Sequence, residues 1–481
     1  MMPVPPERVD RLVKQAIGSR FAHSLSRLRS VLVFAATNPI APVVTLGLVV
    51  RLALAPFTSW TWDLLPSYLA GMDMLSGASP YHSMFYSYPP AWAYTFAPMV
   101  YLLSAIVPPG AMGTFVPALI PVSQLTQLVS PLVTSPPFNL AVKSPLIAAD
   151  LATGLLLFRM VRDMSGPLAA KRAFSTWFLN PLVILSGSVN GQFDVLPSMF
   201  VLFSIYFLYK HEAFFAGAAL ALSMAYKLYA IYLLPIYVFP LLSVTFRGPR
   251  TSWTRAPIMR FTAGVLAVTA LFAFFFPWDS GVTAIFRRVD IPSYGGFTPL
   301  LLLSNWNLTG YASIVFVASV VGTLAGMMWL GWRSLRPSPA VSDTFTLPEL
   351  AAMNVVGLIV VYTFSTLVNP QYLLWILPGM ILLAFHDHSS PWFVRSASLL
   401  GCGLTIALAG PLVFFYPLSI WTGTPSTSLI NDSVTVYWGL PGPFRSPLWH
   451  YAVSVISWVG YLILIVRAKS AWAVVRGKGH A

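Results

Sequence analysis

Apolar runs long enough to cross a hydrocarbon layer of about 30 Å recur along this whole sequence, and charged residues almost vanish from them. Of its 481 residues, 57% are hydrophobic and only 9% are charged, and the mean hydropathy is +0.74. Lipid offers no partner to backbone N–H and C=O groups, so each crossing must close its own hydrogen bonds within a helix or a closed barrel. The runs are solid rather than alternating, which selects helices. The expected class is an all-α integral membrane bundle of roughly 12–14 transmembrane helices. Spans are expected near 39–57, 88–107, 143–161, 173–190, 194–210, 213–228, 229–246, 261–277, 309–332, 349–368, 371–385, 395–417 and 448–466. The Pro-rich stretch 108–142 reads either as one more crossing or as an interfacial insertion.

The net charge of +14 does not point to nucleic acid, because the basic residues gather in short loops. Arg8, Arg11, Lys14, Arg20, Arg27 and Arg29 precede the first span, Arg247, Arg250, Arg255 and Arg260 lie mid-chain, and Arg467, Lys469, Arg476 and Lys478 close the sequence. That is a positive-inside pattern, and it places both termini in the cytosol. The chain is expected to divide into a basic cytosolic segment 1–38, a single polytopic domain 39–466 and a basic cytosolic tail 467–481, in a cell membrane or endoplasmic reticulum membrane. The first thirty residues lack an apolar core, so the first span is the expected targeting signal. Cys402 is the sole cysteine, which excludes an internal disulfide and a cysteine metal site.

With this orientation, residues 58–88, "SVNGQFD" at 188–194, the end of "MAYKLY", the 278–308 loop, "NPQY" at 369–372 and 418–446 all face the external side. After Asp63, the residues Leu64, Leu65, Tyr68, Leu69, Met72 and Leu75 repeat at helical spacing, with Ser67, Ala70, Asp73 and Ser76 elsewhere, as in an amphipathic helix lying flat at the interface. Asp63 is expected just before its first turn. One reading makes it a helix cap. The other makes it a general base at the boundary between water and lipid.

There are 14 Asp plus Glu, and Glu7, Asp10, Asp163, Glu212, Asp343, Glu349 and Asp387 fall in expected cytosolic segments. Asp150 lies inside a span, where a carboxylate is either functional or paired. Asp73 reads as solvated, and Asp194 as the end of an interfacial turn. Cations on the external side run against the charge bias: Arg287 and Arg288 in "FRRVD", and Lys227 in "YKLY". They are candidates for a lipid phosphate, against plain snorkelling for Lys227 and a solvated pair for the arginines. Gln192, Gln371, Tyr372 and His82 are secondary candidates on the same converging segments. "HDH" at 386–388 points its histidines apart and makes no metal box. No phosphate loop, dinucleotide turn or Ser/His/Asp arrangement is present.

"YPPAWAY", "KSPLIAADLATGLLLFRM", "FLNPLVILSGSVNGQFD", "MAYKLYAIYLLPI", "FRRVD" with "GGFTP" after it, and "QYLLWILP" follow Asp63 in fixed order, across roughly residues 45–385. In this the chain resembles the polytopic GT-C glycosyltransferases, above all the mannosyltransferases that use dolichyl-phosphate mannose in glycosylphosphatidylinositol assembly. The resemblance implies an external first loop whose aspartate is required, a polyprenyl-phosphate sugar donor, a lipid-linked or glycan acceptor, and inversion at the sugar carbon. Asp63 matches the second acid of that family's D-x-D, and Thr61 replaces the first. No cofactor is firmly expected: this departure weakens the case for a divalent metal held by paired carboxylates and leaves a divalent metal open. The rival readings are a transporter or lipid-linked oligosaccharide flippase, expected to show internal repeats that this chain lacks, and a non-catalytic membrane scaffold subunit.

Overall fold

The computed structural model describes residues 40–83, 85–115, 120–121, 128–129, 132–247, 256–286, 295–296, 312–334, 346–365, 367–386, 391–409, 415–422 and 447–475. They are overwhelmingly helical, as the solid apolar runs require. The first half contains α1 (Ala41–Leu54), α2 (Thr61–Leu75), α3 (Ala91–Ser104), α4 (Pro136–Ser165), α5 (Pro167–Phe178), α6 (Val195–Tyr209), α7 (Ala213–Tyr226), α8 (Leu234–Arg247) and α9 (Ala256–Phe275). The second half contains α10 (Trp278–Phe286), α11 (Ala312–Ser334), α12 (Leu347–Phe364), α13 (Leu373–His386), α14 (Trp392–Ala409), α15 (Tyr416–Thr422) and α16 (Pro447–Val475). Three of these, α4, α9 and α12, are long and apolar enough to cross a membrane unaided.

The pivot is α4, thirty residues and about 45 Å long at 1.5 Å per residue. Pro136 and Pro137 open it, where a missing N–H costs nothing, and the Ser135 side chain accepts from the Phe138 N–H. It packs on α3, α5, α6 and α13. Its two ends differ in chemistry. Asp163 at the C-terminal end meets Lys210 at 3.1 Å and Arg162 at 3.9 Å, whereas the N-terminal end meets the loops around Asp63. In between, Arg51 of α1 bonds Asp150 of α4 at 3.1 Å, and both are fully buried. Arg51 also donates to the Phe178 carbonyl at 2.8 Å and lies 4.2 Å from the Phe178 ring. Asp150 is thus a pairing residue that ties the first helix to the pivot.

Four sequence readings are changed or decided. The span expected at 88–107 is not a crossing. Along α3, Thr95 meets Tyr226 at the C-terminal end of α7, Tyr94 donates to Phe275 at the C-terminal end of α9, and Tyr101 reaches back to Met74. Helix α3 therefore lies across one end of the bundle, alongside α2. The described residues of the stretch 108–142 also lie at this end. Its described residues form β1 (Gly113–Phe115) paired antiparallel with β4 (Leu132–Thr134), and β2 (Ile120–Pro121) with β3 (Leu128–Val129); the Ser135 N–H then bonds Met112 and α4 begins. Neither α3 nor the hairpin crosses, so the parity of the chain closes with both left on the α4 N-terminal side.

The third change concerns α2. Asp63 is its third residue, inside the first turn rather than ahead of it, because Trp60 is the capping position. The first half of the expected polar face is not solvated: Ser67 and Ala70 are buried, and Ser67 accepts from the Trp92 indole at 3.0 Å, whereas Ser76 at the far end is exposed. α3 covers this part of the side that periodicity alone had assigned to water, while the hairpin packs Phe115 against Tyr68. Elsewhere, the span expected at 173–190 breaks at Asn180, whose side chain caps a new turn opening at Pro181.

Helices α7 and α9 cross with their backbones in contact. A methyl group on Gly217 would overlap the Phe261 carbonyl, and one on Gly264 the Phe214 carbonyl, the small-residue device of membrane helix pairs. Gly217→Leu is expected to force the pair apart at a cost of about 1–3 kcal/mol or more. A lowered thermal midpoint of the purified protein in detergent would register it.

Candidate functional site

The site lies where α1 and the segment after α5 both run out of regular helix. From Ile184 to Asn190 the chain winds as a π-helix, a form concentrated at functional positions because its wider turn displaces side chains from α-helical register. Gly191 ends it at φ +83°, a left-handed conformation suited to glycine. A Cβ there would also stand 2.8 Å from Leu64 and 3.3 Å from the Lys143 side chain. This turn delivers Gln192 to Asp63: the Gln192 amide N–H donates to the Asp63 carboxylate. Asp63 is partly exposed and sits in the first turn of α2, where the helix dipole favours its charge. The other amide atom, Gln192 Oε1, is buried with no protein partner.

Two residues further on, Asp194 turns inward. Both its oxygens accept from Lys227, at 2.7 and 2.9 Å, and one also accepts from the Trp375 indole at 2.8 Å. Aromatic rings surround the ammonium, with centroids of Phe193 and Tyr372 at 4.9 Å, Trp375 at 5.7 Å and Tyr88 at 5.8 Å. Trp375 is itself stacked between Tyr229 at 3.5 Å and Tyr372 at 4.2 Å. Phe193 joins the two charge clusters through Trp92, on which it stacks at 5.0 Å. The adjoining loop is fixed by tyrosines: Tyr81 donates to the Tyr88 carbonyl at 2.8 Å, and Tyr86 accepts from the Ala93 N–H at 2.9 Å. Burial holds the Tyr86 hydroxyl well above its ordinary range, so it stays neutral and also donates to Pro89.

Beneath these loops lies Lys143, fully buried two turns into α4. Its ammonium donates to four backbone carbonyls: Ala55 at 3.0 Å, Thr58 at 2.5 Å, Ser188 at 3.0 Å and Val189 at 2.9 Å. One turn earlier on the same face, Asn139 donates to the Pro56 carbonyl at 2.9 Å. Helix α4 thus holds the connection that leads from α1 to Asp63.

Of the residues expected from sequence, Asp63 and Gln192 meet directly, and Asp194, Lys227 and Tyr372 form the adjoining cluster. Gln371 occupies the short turn Pro370–Tyr372 beside it. Asp150 belongs to the Arg51 pair. Asp73 is not simply solvated; its carboxylate accepts from the Ser83 N–H at 3.0 Å and pins the loop after α2. His82 is exposed on that loop. Arg287 and Arg288 lie outside the described residues. Among the described residues no three His, Cys, Asp or Glu come together.

Sequence reasoning passed over Lys143, Asn139 and Arg51. The signal was there for Lys143 and Arg51, since a cation inside an apolar run must have a dedicated partner. Backbone carbonyls as that partner leave no trace in the side-chain pattern.

Three comparisons bear on this arrangement. A family model described as GPI transamidase subunit PIG-U matches residues 74–280, which leaves out Asp63. GPI mannosyltransferase 1 of Saccharomyces cerevisiae is 34% identical over 109 residues, 22% of this chain and 26% of that protein. GPI mannosyltransferase 1 of Dictyostelium discoideum is 28% identical over 218 residues, 43% of this chain and 42% of that protein. The chain is similar to the GPI mannosyltransferase 1 enzymes. The matched segments span less than half the length of each of these relatives. Among solved structures, ArnT from Cupriavidus metallidurans bound to undecaprenyl phosphate has a TM-score of 0.48 at 14% identity, covering 91% of this chain and 78% of that one.

Lys227→Met would leave the Asp194 carboxylate buried without its cation, at an expected cost of about 3–5 kcal/mol. Trp375→Phe removes only one donor and is expected to cost about 1–3 kcal/mol. Thermal unfolding of the two variants side by side checks the order.

Proposed function

We propose that this chain transfers a hexose, mannose first among the candidates, from a polyprenyl (dolichyl) phosphate to a lipid-linked or glycan acceptor, with inversion at the sugar carbon. The observation that carries the reading is the Asp63–Gln192 contact: a partly exposed carboxylate in the first turn of a helix, oriented by an amide from a π-helical turn. Similarity to the GPI mannosyltransferase 1 enzymes supports mannose as the sugar moved.

In the proposed step, Asp63 accepts the proton of the acceptor hydroxyl as its oxygen bonds the anomeric carbon. The bond from that carbon to the phosphate oxygen breaks, positive charge develops on the sugar as in glycoside chemistry generally, and the polyprenyl phosphate departs with the bonding pair. A cation must meet that growing negative charge. Lys227 is already committed to Asp194, so this role falls first to Arg287 and Arg288. The donor's hydrocarbon tail requires a membrane, and the positive-inside pattern of the basic loops supports a reacting end on the external or luminal side with both termini in the cytosol.

A second reading is a non-catalytic subunit, favoured by the family model matched at residues 74–280. Labelled mannose transfer from dolichyl-phosphate mannose, measured in membranes holding the full chain, separates the two. Asp63→Asn is expected to lower transfer by about 10²–10⁴-fold with insertion unchanged; transfer equal to that of the unaltered chain would leave the subunit reading.

Gln192→Glu sets a second carboxylate against Asp63, so one of the pair should hold its proton to higher pH. Since the proposed base works ionised, the acidic limb of the pH–rate profile is expected to move upward.

A further inference from the structure

Two helix ends converge on Lys143. The carbonyls of Ala55 and Thr58 follow the end of α1, and those of Ser188 and Val189 belong to the last turn of the π-helix. The final carbonyls of any helix lack partners within it and carry the negative end of its dipole. A cation at both ends is the natural complement. An ammonium has three N–H groups for these four acceptors, and a buried charge without such partners would be costly. One end leads within five residues to Asp63, and the other within three to Gln192.

We infer that Lys143 is a positioning residue for the Asp63–Gln192 pair, an inference that rests on the proposed transfer reaction. It touches neither side chain of the pair. It acts by pinning the backbone on both sides of the pair, so that the carboxylate and the amide that orients it arrive in register. Gly191 supports the same reading: left-handed, pressed between Leu64 and the Lys143 side chain, it lets the π-helix close over the ammonium before Gln192 emerges. Asn139, holding Pro56 one turn away, fixes the same connection without reaching the π-helix. The two halves also touch directly, through long bonds from the Trp60 N–H to the Asn190 carbonyl at 3.4 Å and from the Thr58 hydroxyl to the Ser188 carbonyl at 3.5 Å, and Lys143 is the charged group that reaches both.

The test reads position and rate separately. Asp63→Cys and Gln192→Cys are introduced together with Cys402→Ser in the full chain, and a short bis-methanethiosulfonate linker joins the two sites in the membrane. Lys143→Met is expected to abolish the joining. In the chain with Asp63 and Gln192 intact, Lys143→Met is expected to lower kcat by about ten- to a hundredfold through misplacement, with the KM for dolichyl-phosphate mannose moving by less than about threefold. Combined with Gln192→Ala, it should add little to the larger single loss, because both act on one contact.

Joining that survives Lys143→Met, or losses that multiply in the double variant, would overturn the inference. Lys143→Gln, which keeps a polar head with two donors, replaces Lys143→Met where the latter does not insert, with the same reading. Joining needs no turnover, so failure of the positioning role stays distinct from failure of the transfer reaction, which Asp63→Asn reads alone.

Discussion

Every backbone group removed from water must find a partner, and in a membrane bundle that requirement is most severe where a helix stops. Here two helices stop side by side in the interior. The ends of α1 and of the π-helix would present carbonyls to an apolar core, and one ammonium from α4 accepts the task for both. The arrangement satisfies the cation and the carbonyls together, and it fixes two loops that are 130 residues apart in sequence relative to one another. The candidate reactive groups sit on those loops because a regular helix has no backbone to spare for such bends.

Two buried ion pairs follow the same logic. Arg51 with Asp150, and Lys227 with Asp194, are matched pairs, each completed by a second kind of partner: a carbonyl and a ring for Arg51, an indole N–H for Asp194. Such pairs contribute little net stability compared with apolar packing, and removing one member is far more damaging than removing both. Their use here is geometric. The first ties the opening helix to α4, and the second ties the turn after the π-helix to α7 and α13.

The helical class and the convergence of the segments carrying Asp63, Gln192, Asp194, Lys227 and Tyr372 were legible because each leaves a composition signal: solid apolar runs, and rare polar residues in aromatic surroundings. The pairing of Lys227 with Asp194 was not, because Lys227 read as a phosphate ligand or a snorkelling cation. Helix α3 was misread as a span because "AWAYTFAPMVYLLS" is apolar enough to cross, and hydropathy does not distinguish lipid from the flank of a neighbouring helix. The face of α2 carrying Ser67 and Ala70 was assigned to water for the complementary reason: periodicity shows where apolar residues repeat, not what covers the other side. Lys143 stayed hidden because its partners are carbonyls, which every residue possesses. The break at Asn180 was readable in hindsight from "NP", a cap followed by a residue without an N–H.

The crossing of α7 and α9 has a bearing on how a long isoprenoid could reach the reactive end. Where Gly217 and Gly264 bring two backbones into contact, no gap remains for a hydrocarbon chain to slide between them from the bilayer, and that flank behaves as a sealed wall. α9 turns most of its surface outward, so lipid can gather against it without passing through. Under the proposed reaction, a donor tail bound for Asp63 would travel along another seam of the bundle, which would make the sealed pair a guide for the direction of approach as well as a support.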